Sequence, residues 1–196
     1  MPIPAESDVQ AMLADFHVRL RQVVDDAWQE WLELPGRGRF VFLARVRACM
    51  VFEFIARRAI AEFEGDEHIR VLTKRQTVQF LFRDCVLVRF KKSNDKGIGS
   101  NIETQAVLDF IDPQRTIPGL VPDIMRVEVC YRPDDLGIDL SEVAVVARSR
   151  HKRVWAYPIN KAEPIADVVP LPLRGPDDTP PIVEPRQPKP DEKTQD

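Results

Sequence analysis

The hydrophobic period of this chain changes at Gly65, and that change constrains the fold more than any other feature. Before Gly65 apolar residues recur every three or four positions; beyond it they alternate. Helical spelling followed by strand spelling predicts an α+β domain.

Two helices are predicted ahead of the switch. Ser7 with Gln10 three residues on has the form of a capping box, and Asp8 sits in the electropositive first turn. Val9, Met12, Leu13, Phe16, Leu20, Val23, Val24, Ala27, Trp31 and Leu34 then form one apolar stripe, and Pro35-Gly36 ends it. The second helix is expected from Phe40 to Glu64. It is apolar nearly all round, which predicts a central, buried element with Cys49 inside the core.

Thr77–Phe82 and Val86–Phe90 are β-branched and aromatic, with Arg83-Asp84 between them, and read as a hairpin. A two-residue turn would mix polar and apolar residues on both faces. A three-residue connection (Arg83, Asp84, Cys85) sets Phe82 against Val86, Phe80 against Val88 and Val78 against Phe90, giving one wholly apolar face. Ser100 with Glu103 starts a third helix, which Asp112-Pro113 ends. Strands are expected at Met125–Tyr131, Glu142–Ala147 and Val154–Tyr157. In the first of these Arg126, Glu128 and Cys130 alternate with apolar residues, which predicts one wet face. The expected order is α-α-β-β-α-β-β-β: two N-terminal helices, then a mainly antiparallel five-stranded sheet with one inserted helix.

Composition changes again near Asn160. Residues 161–196 hold nine of the 17 prolines, no aromatic residue, and eight acidic against five basic residues. Too little apolar surface remains there to offset ordering entropy. The organisation expected is a single domain over 1–160 and a proline-rich acidic disordered tail over 161–196.

Several chemistries find no support in the sequence. His17, His68 and His151 stand alone, and no Cys or His pair has metal-ligand spacing, so no metal and no cofactor is expected. Three scattered cysteines predict no disulfide framework and favour a reducing, cytoplasmic setting. The most apolar stretch, Phe40 to Phe63, is broken by Arg45, Arg47, Glu53, Arg57 and Arg58, so no membrane span is expected. Met1–Glu6 is followed by a polar segment, which predicts no signal peptide. No catalytic constellation is recognised. Gly97-Ile98-Gly99-Ser100, with lysines nearby and a helix start beyond, outlines an anion site, although a flexible solvated connection has the same composition.

Basic residues do gather. Arg70 to Lys96 holds four Arg and four Lys against Asp84 and Asp95, and Arg148, Arg150, Lys152 and Arg153 form a second group. Clustered cations matter more than net charge for docking acidic surfaces or phosphates. The residues expected to bind a partner protein, or nucleic acid, are Arg89, Lys91, Lys92, Lys96, Arg148, Arg150 and Arg153. The enzymatic alternative is a Mg²⁺-dependent nuclease of degenerate restriction-endonuclease-like type, using Glu53, Asp84 and Lys91. Its usual acidic residue two positions before the lysine is replaced here by Arg89, and about 23 Å of strand would separate Asp84 from Lys91.

One longer pattern carries a resemblance. Gln76-Thr77-Val78-Gln79-Phe80-Leu81-Phe82, Val88-Arg89-Phe90-Lys91-Lys92, Asn101-Ile102-Glu103-Thr104-Gln105, Ile117-Pro118-Gly119-Leu120 and Val154-Trp155-Ala156-Tyr157 follow one another over residues 68–158. This pattern resembles an uncharacterised family of small bacterial mobile-element proteins, often encoded beside a helix-turn-helix repressor and a zinc-metallopeptidase-like protein. The resemblance implies a cytoplasmic, non-enzymatic binding role in a toxin–antitoxin-like or phage-defence module. It assigns no catalytic residue.

Overall fold

A computed structural model describes residues 3–36, 42–74, 77–94, 96–100, 104–117 and 119–161. The chain divides after Ala162, and all of the expected tail beyond Lys161 lies outside the described residues. So do Phe40, Gln76, Asp95, Asn101–Glu103 and Pro118 of the patterns read above.

The first expected helix is in fact two. α1 (Glu6–Leu13) and α2 (His17–Glu33) are separated by a 3₁₀ turn at Ala14–Phe16. The Ser7 capping box does not form: Ala5 is the N-cap and the Ser7 hydroxyl turns to Asp8 Oδ1 at 3.3 Å. The bend keeps Val9, Leu13, Phe16, Leu20 and Val24 on one buried side. α3 (Ala44–Phe63) runs beside α2, and Arg58 and Arg57 both reach Glu30 across the pair. The expected all-round burial of α3 is not found. Only Val51, Ile55, Ala56, Ala59 and Phe63 are buried, all in its later two-thirds, and Cys49 is exposed. The arginines interrupting the apolar run hold its other faces in water.

The sheet has six strands in sequential order: β1 (Ile69–Lys74), β2 (Thr77–Phe82), β3 (Val86–Lys92), β4 (Met125–Pro133), β5 (Leu140–Ser149) and β6 (Lys152–Pro158). The α+β class therefore holds, but the sheet is mixed, not five-stranded and mainly antiparallel. β1 is the added strand, antiparallel to β2. β3 and β4 pair in parallel, Val88 opposite Val127. The physical reason lies in the connection. Some thirty residues, including helix α4 (Gln105–Ile111), join β3 to β4, and parallel neighbours need a crossover of that kind.

The hairpin register is as read at its closed end. Phe82 opposes Val86 and Phe80 opposes Val88, with Arg83 and Asp84 both at positive φ (48° and 55°) in the turn. The pairing then stops. Val78 and Phe90 do not face one another in a ladder, although β2 continues to Thr77 and β3 to Lys92. The two strands part there.

The main core lies between the sheet and α1–α3. Phe80, Phe82, Val86, Val88, Val127, Val129, Val143 and Val145 meet Leu20, Val24, Ile55 and Phe63, with Phe63 edge-on to both Phe80 and Phe82. The opposite face is covered too. Val107, Phe110 and Ile111 of α4 pack on Leu81 and Leu87, while Ile98 of the 93–100 loop packs on Cys130, Ala144 and Val146. No helix among the described residues is long and apolar enough to cross a membrane.

Candidate functional site

The strand expected to have a wet face instead carries a sealed ionic cluster between those two apolar patches. Glu128, in the middle of β4, has no solvent exposure, and Arg89 opposite it on β3 is 5% exposed. Arg89 Nε lies 3.0 Å from Glu128 Oε1, and Arg89 Nη2 donates to the same oxygen. The second carboxylate oxygen accepts the Gly99 N–H at 3.0 Å, and Arg148 Nη1 approaches it at 3.5 Å. Arg148 also donates to the Gly99 carbonyl at 3.0 Å, and the Arg89 guanidinium stands 3.9 Å from the centre of the Phe110 ring. Burial alone would raise the Glu128 carboxyl. The two guanidiniums and the bonds from Arg89 and Gly99 outweigh it and hold the carboxyl below the ordinary range.

This arrangement corrects two of the expected binding residues. Arg89 and Arg148 lie inside, both held by the single Glu128 carboxylate, so neither can meet a partner at the surface. It also reassigns the glycine loop. Asn94 Oδ1 accepts the N–H groups of Lys96 and Ile98, at 3.0 and 3.2 Å, and the Gly99 N–H goes to Glu128. Those amides are consumed internally; the anion held by the expected anion site is Glu128 itself. Nor is the segment a loose connection. A Cβ on Gly99 would stand 2.5 Å from Glu128 Oε2 and 2.7 Å from Lys91 Cβ, so only glycine lets the loop close over the cluster.

The other expected cations remain nearer to water. Lys96, Arg150 and Arg153 are exposed; Lys91 and Lys92 are half-buried. Arg150 pairs with Asp112 at 3.3 Å. Arg153 lies against Gly97, which brings the β5–β6 turn beside the loop that carries Lys96. Lys91 differs from the rest. It lies at the parted ends of β2 and β3, in a cleft also lined by Phe52, Val78, Arg89, Phe90 and Val107, with its ammonium 5.7 Å from the Phe52 ring centre. Burial, and then the charge of Arg89, lower its pKa.

The nuclease residues are not brought together. Asp84 sits in the hairpin turn paired with Arg70 at 2.8 Å, at the opposite end of β3 from Lys91, and Glu53 lies on an exposed side of α3. Among the described residues no three His, Cys, Asp or Glu are grouped to hold a metal ion.

One surface escaped the sequence reading. Leu43 (76% exposed) and Val46 stand at the start of α3; Leu136 (79% exposed) and Ile138 stand in the β4–β5 turn. The Arg47 guanidinium comes within 3.4 Å of where a Cβ on Gly137 would lie, and Trp28 Nε1 donates to the Ile138 carbonyl at 3.4 Å. These four are most of the seven large apolar residues exposed among the described residues, and they stand on two segments that the Arg47 side chain connects. Leu-Gly-Ile in a tight turn, where polar residues are the rule, was the available signal.

No family model, curated protein or solved structure matches this chain.

Proposed function

We propose that the protein is a non-enzymatic, protein-binding component, and that it docks its partner through the patch of Leu43, Val46, Leu136 and Ile138. The observation that carries this reading is the exposure of those four side chains on two segments that the approach of Arg47 to Gly137 brings together. Scattered apolar residues on a surface need no explanation, but adjacent ones rimmed by charge mark contact sites. Arg45, exposed beside the patch, suits a partner with an apolar anchor and an acidic margin. The toxin–antitoxin-like or phage-defence setting rests on the family resemblance alone. Nucleic acid at Lys96, Arg150 and Arg153 is the secondary reading, supported by their exposure on the loop and the β5–β6 turn.

The experiment is affinity capture from native lysate, with and without nuclease, comparing the wild type with Leu43→Asp and Leu136→Asp. A partner retained by the wild type after nuclease treatment and weakened about 30-fold by either variant is expected, since a lost apolar anchor costs about 2 kcal/mol. Equal retention by all three proteins, or retention that disappears with nuclease, overturns the patch as the docking site.

A further inference from the structure

The two halves of the exposed apolar patch carry opposite charge. In the β4–β5 turn, Leu136 and Ile138 stand among Asp134, Asp135 and Asp139, with no basic residue from 134 to 139. At the start of α3, Leu43 and Val46 stand among Arg45 and Arg47, with no acidic residue in the first turn. Part of the acidic half is engaged within the chain. Asp134 Oδ1 accepts the Ile138 N–H at 2.8 Å, and Asp139 lies 3.8 Å from Lys161. Asp135 is exposed, and its carboxylate has no partner among the described residues. Arg45 is likewise exposed and unpaired among them.

Arg45 also stands against the local electrostatics of the fold. The N-terminal end of a helix is electropositive and favours carboxylates, yet α3 has no side-chain cap and sets two arginines in its first turn. A segment from outside that combined apolar tips with carboxylates would satisfy this end. The chain owns such a segment, its β4–β5 turn. A wholly acidic partner would meet the aspartates of the turn, and a wholly basic one the arginines of α3, like charge on like in either case.

We propose that the patch is occupied by a second copy of this chain, related by a two-fold axis through the approach of Arg47 to Gly137. The inference rests on the patch being the docking site and names its partner. A two-fold contact is isologous, so each half of a patch meets the other half on the second copy. Leu136 and Ile138 of one copy then cover Leu43 and Val46 of the other, and Arg45 faces Asp135, the whole set occurring twice. Four apolar side chains from each copy make a small interface, so the dimer is expected to dissociate at about 10–100 µM.

Sedimentation velocity on the full chain at low salt, from about 5 to 300 µM, tests this. The wild type should pass from monomer to dimer across that range. Arg45→Glu and Asp135→Lys each set like charges opposite one another twice, and each should weaken the dimer at least about tenfold. Both positions are exposed, and a glutamate in the first turn suits α3, so the fold survives either change. Mixed in equal amounts, the two variants pair glutamate with lysine and arginine with aspartate, and the dimer should return to within about threefold of the wild type. Leu136→Asp should abolish it. A wild type that stays monomeric throughout the range overturns the proposal. So does a dimer indifferent to the charge reversals or to Leu136→Asp, or a mixture that fails to recover. The lysate capture keeps the underlying reading separate: if the wild type is monomeric but Leu136→Asp still loses a captured partner, the docking patch stands and its occupant is a different chain.

Discussion

Glu128→Gln removes one charge from the sealed cluster while keeping the shape of the side chain. The replacement amide oxygen can still accept from Gly99, so the substitution isolates the charge. What it leaves is two guanidiniums, Arg89 and Arg148, facing one another beneath α4 and the 93–100 loop without a counter-ion. Breaking a buried pair by removing one partner costs about 3–5 kcal/mol, a large part of the roughly 5–15 kcal/mol that holds a domain folded. At about 2–4 °C per kcal/mol for a chain of this size, the melting temperature should fall by roughly 6–20 °C. Urea unfolding followed by circular dichroism measures the loss, with Glu142→Gln as the control. That variant breaks the solvent-accessible Arg132–Glu142 pair, 2.6 Å apart, and should cost no more than about 1 kcal/mol. The pH dependence supplies a second reading. Because the folded state holds the Glu128 carboxyl low, its contribution is fully present above the unfolded carboxyl's pKa. It is lost as pH falls through the folded value, so the variant should show a shallower acid limb. A cost for Glu128→Gln within about 1 kcal/mol of the control would refute the burial argument.

Three further outcomes follow from particular contacts. Gly99→Ala should destabilise by about 1–3 kcal/mol in the same urea assay, because its methyl meets Glu128 Oε2 and Lys91 Cβ. His17 is half-buried with Nε2 3.0 Å from the Tyr157 hydroxyl, and burial lowers its pKa. The unfolded chain therefore binds more protons below about pH 6.5, and stability should decline from there down to the lowered folded value; His17→Gln should flatten that slope. Iodoacetamide on the native protein should label exposed Cys49 and spare Cys130, whose thiol is buried and pushed well up; labelling of Cys130 without denaturant would contradict its placement.

What was legible in the sequence was whatever one local period decides. The switch at Gly65 gives the fold class, and the demand for one apolar face sets Phe82 on Val86 and Phe80 on Val88. β1 escaped although Ile69, Val71 and Thr73 alternate, because Arg75-Gln76 carries no turn residue to close it onto β2. The parallel seam was written only in the length of the 93–124 connection. The burial of Arg89 and Glu128 was hidden more deeply. Alternation marks a residue as polar, and the usual inference is water. Here the polar residues of adjacent strands meet one another beneath a helix and a loop from elsewhere in the chain, and nothing local announces that. The apolar patch was missed for the mirror reason. Leu43 and Leu136 count as core by type, and only the ends of their elements leave them outside.

The single parallel seam also bears on how the molecule assembles. On each side of it lies a three-stranded meander whose partners are close in sequence, so each can collapse early from near neighbours. Joining them requires Val88 to find Val127, across a loop whose closure must come first. The step that zips this seam also buries Arg89 against Glu128, so that ion pair forms only when the two meanders join.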